Sequence, residues 1–201
     1  MCLQNYGIMA KRFPIGIQDF EGLRRDGYYY VDKTALVYDL ANTNKYYFLS
    51  RPRRFGKSLL VSTLKAYFLG KKELFEGLAM ADLEKDWTTY PVFHIDFVGR
   101  SYNEIKDLYY RLTPIAKSPA GRFNEDIKQV YDKTKKQVVI LIDEYDKPLI
   151  DNIDHPEMQA RMRDFLSGLY GNLKSMDSYI RFGFLTGVSR FSHLNIFSAA
   201  N

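Results

Sequence analysis

Residues Arg51 to Leu60 read RPRRFGKSLL, and residues Val138 to Glu144 read VVILIDE. The first stretch follows an apolar run, Tyr46-Tyr47-Phe48-Leu49, and leads through Gly-Lys-Ser into a helical pattern. A helix N-terminus offers unpaired N–H groups and the positive end of a dipole, which together attract phosphate. Gly56 permits close backbone approach. Lys57 would reach the β- and γ-phosphates as a point charge, and the Ser58 hydroxyl would ligate Mg2+. The second stretch is a buried-strand pattern ending in two carboxylates. Asp143 would hold Mg2+, largely through water, and Glu144 would orient and deprotonate an attacking water. Either half alone is a weak signal. Both in one chain, in this order, imply a site that binds ATP with Mg2+ and hydrolyses it.

The pattern G-x-x-x-x-G-K-[ST] asks for glycine at position 51, where this chain has Arg51. The candidate binding loop is therefore Arg51, Pro52, Arg53, Arg54, Phe55, Gly56, Lys57, Ser58 and Leu59, stiffened by Pro52 and with an arginine near the phosphates. Taken alone, RPRRFGKS also fits a basic surface turn, and Asp143-Glu144 a solvated strand end. Lys57 is expected to be exposed in the empty site. Asp146 is expected only to cap the turn that follows. Phe184-Leu185-Thr186 runs into Gly187-Val188-Ser189-Arg190. In ATPases with a catalytic Glu beside the Asp, a further strand lies between the two motif strands. Thr186 fits its polar tip, and Arg190 could reach charge that develops in the transition state. Spacing alone fits an ordinary βα loop equally well.

Four apolar segments position these residues: Tyr46 to Ser50, Val92 to Phe97, Val138 to Ile142, and Ile180 to Thr186. Helical patterns separate them. Leu60, Leu64, Tyr67 and Phe68 share one face, and Met162, Phe165, Leu166, Leu169, Tyr170 and Leu173 share another. Asp154 and Pro156 mark the start of that second helix. Asp32 is placed to cap a helix through Leu40. Strands alternating with helices predict an α/β fold with a parallel sheet. Residues 11 to 40 then form an extension packed on the sheet or, in a sharper reading, a cover for the nucleotide base.

The 201 residues suffice for one domain with a sizeable core. We read residues 1–10 as a tail, with Met9 a possible start, and 11–201 as the domain. No apolar run approaches the ~20 residues that span a bilayer, and no signal-peptide core is present, which predicts a cytoplasmic protein without a membrane partner. Cys2 is the single cysteine, so an intrachain disulfide is excluded. His94, His155 and His193 show no metal-ligand spacing. The net charge of +5 owes much to Arg51, Arg53, Arg54 and Lys57. Nucleotide phosphates account for part of that cluster, and no nucleic-acid recognition motif accompanies it.

Several longer motifs carry a resemblance. They are Tyr30-Val31-Asp32-Lys33-Thr34, Phe48 through Ser58, Tyr67-Phe68-Leu69-Gly70, Tyr90-Pro91-Val92, Val139 through Pro148, and Leu185 through Phe191. Over residues 11 to 198 the chain resembles the AAA-ATPase-like family of anaerobic bacteria, especially Bacteroidetes. In that family Arg replaces the first loop glycine. The resemblance implies a P-loop NTPase fold of the ASCE/AAA-like kind, a three-layer sandwich related to the archaeal-type and STAND signalling ATPases. It implies Lys57 and Ser58 at the phosphates and Mg2+, with Asp143 and Glu144 as the second motif. Family members continue past Phe191, often into a PD-(D/E)xK nuclease-like domain. The stretch Arg111 to Arg122 is shorter than its family counterpart. A C-terminal strand and lid are expected to be lacking.

The expected function is slow, Mg-dependent ATP hydrolysis. The alternative is a nucleotide-binding switch or assembly module acting on a partner protein, a nuclease or a second copy. In the expected sheet order the Tyr46–Ser50 strand neighbours the Ile180 strand on one side. Its other edge is expected to be covered by residues 11 to 40, by a second molecule, or by a strand from a longer natural chain.

Overall fold

The structure, a computed structural model, describes residues 12–98 and 122–188. The four apolar runs form strands β1 (Tyr46–Ser50), β2 (Val92–Asp96), β3 (Val138–Asp143) and β4 (Ile180–Gly187). All pair in parallel, in the order β1-β4-β3-β2. β4 thus lies between the two motif strands, as expected. Leu49 faces Thr186 across one ladder, and Asp96 faces Asp143 across another.

Every residue of β3 is buried, because helices cover both faces of the sheet. Side chains of a strand alternate between faces. Val138, Ile140 and Ile142 therefore join one core, with helices α5 (Arg122–Thr134) and α7 (Pro156–Ser175). Val139 and Leu141 join the other, against α1 (Phe20–Arg25), α2 (Thr34–Thr43), α3 (Lys57–Phe68) and α4 (Ala79–Leu83). A register shift at Val138/Val139 lets Ile180 share the first core while Phe182 and Phe184 share the second. The periodic faces hold: Leu64, Tyr67 and Phe68 of α3 are buried, as are Met162, Leu166, Leu169, Tyr170 and Leu173 of α7. Pro156 opens α7, where its missing N–H costs nothing.

Asp32 acts differently from the expected cap. Lys33 is the N-cap of α2, which continues to Thr43. One Asp32 oxygen accepts from the Thr34 N–H (2.8 Å) and hydroxyl (2.7 Å), and the other accepts from the Ala79 N–H (2.7 Å). Its carboxylate joins the starts of α2 and α4. Residues 12–43 enter the helical layer beside α3 and α4. They add no strand next to β1, whose one strand neighbour among the described residues is β4. The C-terminal residues 189–201, which bear on the strand and lid expected to be lacking, lie outside the described residues, as does the stretch 111–121.

Candidate functional site

The C-terminal ends of β1, β4 and β3 meet at one edge of the parallel sheet, where open α/β sheets bind ligands. The basic loop leaves β1 there and is tied to the tip of β4. The Arg51 N–H donates to the Gly187 carbonyl (3.1 Å), and the Ser50 hydroxyl donates to the Val188 carbonyl (3.1 Å). Arg54 (φ 68°) and Gly56 (φ 75°) both adopt the left-handed conformation. A loop that alternates left-handed with ordinary residues turns successive N–H groups into an anion-binding concavity. Gly56 is the N-cap of α3 and supplies no side-chain cap, so the first-turn N–H groups of Lys57, Ser58 and Leu59 are left for another acceptor.

Lys57 departs from the expected exposure. It is 5% exposed, and its Nζ donates to the carbonyls of Arg51 (3.0 Å) and Pro52 (3.1 Å). The ammonium closes the loop on itself, which a sequence pattern cannot show. Arg51, Pro52, Arg53, Arg54, Phe55 and Gly56 are exposed, while Ser58 and Leu59 are half-buried.

On β3, Asp143 is 3% exposed, and its Oδ1 accepts from the Thr186 hydroxyl and the Glu144 N–H (3.1 Å). The Thr186 oxygen in turn accepts from the Glu144 N–H (3.2 Å). Thr186, fully buried, thus braces both carboxyl-bearing residues across adjacent strands. Glu144 sits at φ 50°, a left-handed conformation uncommon for a residue with a side chain. Burial pushes its carboxyl above the ordinary glutamate range, and the charges of Asp143 and Asp146 add to this. The cations Lys57 and Arg53 oppose that shift, so both lie within electrostatic reach of Glu144. The two sequence motifs are both tied to the tip of β4, at the same end of the sheet.

Asp146 does more than cap a turn. It is buried, it opens α6 (Lys147–Asp151), and its Oδ2 accepts from the Val188 N–H (2.8 Å). Sequence reasoning also missed Gly187. A Cβ there would lie 2.3 Å from the Tyr145 ring. That ring packs edge-on against Phe48 of β1 at 5.2 Å and against Tyr170 of α7 at 6.3 Å. The glycine directly after Thr186 was the available signal. Arg190 lies outside the described residues.

Among the described residues no group of three or more His, Cys, Asp or Glu side chains is placed to hold a metal. Asp143 and Ser58 offer one carboxylate and one hydroxyl. That hard-oxygen set suits Mg2+, which keeps several waters and shares phosphate oxygens.

A four-stranded parallel sheet with helices on both faces and a basic Gly-Lys-Ser loop at its strand ends fits a P-loop-like α/β fold. The family described as Predicted AAA-ATPase matches residues 14–197, and the chain belongs to it. Membership suggests nucleotide binding. The chain is also 41% identical over 206 residues to an uncharacterized protein encoded in the vnfD 5' region of Azotobacter chroococcum mcd 1. That match covers 95% of this chain and 40% of the relative, so the chain spans well under half of the relative's length. No solved structure matches the chain at comparable significance. Among the described residues no helix is long and apolar enough to cross a membrane.

Proposed function

We propose that the chain binds ATP with Mg2+ and hydrolyses it slowly. One observation carries this reading: the basic loop is hydrogen-bonded to the tip of β4, and Thr186 of that strand is hydrogen-bonded to both Asp143 and Glu144, so the two motifs share one end of the sheet. Residues 51–59 would wrap the phosphates, with the first-turn N–H groups of α3 supplying the hydrogen bonds. Ser58 and Asp143 would hold Mg2+, which neutralises phosphate charge when bound. Glu144 would take the proton of a water whose oxygen attacks the γ-phosphorus in line, as the bond to the β-phosphate oxygen breaks and ADP leaves. Lys57 would release the Arg51 and Pro52 carbonyls to meet phosphate. Thr186 holds the Asp143–Glu144 pair in place, and Arg190 would meet charge that develops in the transition state.

Glu144→Gln tests the catalytic half. A neutral amide positions water but takes no proton, so ATP affinity is expected to persist while turnover falls at least ~100-fold. Equal turnover in both proteins would move the base elsewhere, with Asp146 the first alternative.

The chain's 40% coverage of its relative supports a second reading, in which nucleotide state is relayed to other parts of a longer protein or to a partner. A nuclease-like domain, as the family resemblance implies, or a second copy would be the recipient, in the cytoplasm. Turnover that rises only when a partner is added favours that reading over a stand-alone ATPase.

A further inference from the structure

Asp146 opens α6 and stands where a carboxylate ordinarily caps a helix, yet it makes no side-chain cap bond. Its Oδ2 reaches across to β4 instead and accepts from the Val188 N–H, 42 positions along the chain. The Val188 carbonyl in turn accepts from the Ser50 hydroxyl at the end of β1 (3.1 Å). Val188 is thus held through both of its backbone groups, one on the β3 side and one on the β1 side. Gly187 permits the approach, since a Cβ there would lie 2.9 Å from Asp146 Oδ1.

Glu144 lies inside this arrangement. Its φ of 50° is strained for a residue with a side chain, and such strain persists only where the surroundings over-determine it. The Glu144 carbonyl accepts from the Lys147 N–H (3.0 Å), and the Tyr145 N–H donates to the Thr186 carbonyl (2.9 Å). Asp146 adds the hydrogen bond to Val188 (2.8 Å). The turn 143–147 is therefore docked on the tip of β4 residue by residue. Asp146 is fully buried, so that hydrogen bond, not solvent, fixes the direction of its carboxylate.

We propose that Asp146 is a positioning residue for the reaction: through Val188 it keeps the 143–147 turn docked on β4 and Glu144 in its left-handed backbone, while Ser50 ties Val188 to the phosphate loop. The inference rests on the ATPase reading above. It gives Asp146 no proton to move and no phosphate to touch. The effect falls on the placing of Glu144, which matters once ATP is bound. A catalytic group displaced by about 1 Å costs on the order of 100-fold in rate.

The test measures ATP turnover and ATP affinity, at equal folded fraction, for the parent, Asp146→Ala, Asp146→Asn and Ser50→Ala. Asp146→Ala should lower kcat by about 10- to 100-fold and leave ATP affinity unchanged. Asp146→Asn keeps an oxygen for the Val188 N–H and should restore most of the lost turnover. Ser50→Ala, at a half-buried position, should lower kcat by a smaller factor, and it decides the matter if Asp146→Ala does not fold. An Asp146→Asn chain as slow as Asp146→Ala overturns the inference, because the charge and not the hydrogen bond would then be required. Turnover and affinity that fall together in Asp146→Ala also overturn it, reducing Asp146 to a residue of the fold. Parent-like turnover in either alanine variant does the same and leaves the ATPase reading intact. A parent without turnover removes that reading, and this inference with it.

Discussion

The hydroxyl of Thr186 is the join between the two carboxyl-bearing residues, and replacing it with a methyl isolates its worth. Thr186→Val keeps the branched shape inside a fully buried position at the end of β4. It removes the donor to Asp143, itself only 3% exposed. A hydrogen bond to a charged group contributes about 1.5–3 kcal/mol, and a buried group left without one costs a similar amount. The Glu144 N–H also loses an acceptor but keeps Asp143 Oδ1 at 3.1 Å, so little is added there. The net loss should be about 2 kcal/mol, or a melting temperature lower by roughly 4–8 °C for a chain of this size. Thr186→Ser keeps both hydrogen bonds and deletes one buried methyl, for about 1 kcal/mol. Urea unfolding at constant m-value should therefore rank parent above Ser above Val. A valine variant as stable as the serine variant would refute the proposed brace.

Further outcomes follow from the same contacts. Because burial raises the Glu144 carboxyl above its unfolded value, its ionisation opposes folding as pH rises through the raised pKa. Glu144→Gln should thus melt higher than the parent at pH 7, with the gain gone below the ordinary glutamate range. A gain that instead grows on acidification would reverse the sign argued here. Gly187→Ala should cost about 1–3 kcal/mol from forced repacking, since Tyr145 is wedged between Phe48 and Tyr170. Gly183→Ala should cost less, because the ring it meets, that of Tyr46, is half-buried and on the edge strand; chemical denaturation compares the two.

The four strands were legible because each is a short apolar run bounded by breakers, and β3 is buried on both faces. The helix faces of α3 and α7 were legible from the 3.6 period. The loop's identity was carried by Gly56-Lys57-Ser58. What lay beyond the sequence depends on distant residues meeting. Thr186 bonds Asp143 only because β4 sits beside β3 in a particular register, and the bonded pair is 43 positions apart. Asp32 reads as a local cap, yet its second oxygen serves Ala79, 47 positions away. Lys57 reads as a free cation because a pattern cannot show a loop curling back to present its own carbonyls.

Calorimetric titration of ATP into the parent and into Lys57→Ala, with and without Mg2+, tests the central claim most directly. The parent should bind one ATP, more tightly with Mg2+. Lys57→Ala should lose that binding while still folding, with a stability loss of about 1.5–3 kcal/mol from the hydrogen bonds its ammonium gives the Arg51 and Pro52 carbonyls. ATP bound equally by both proteins, or by neither, would contradict the account.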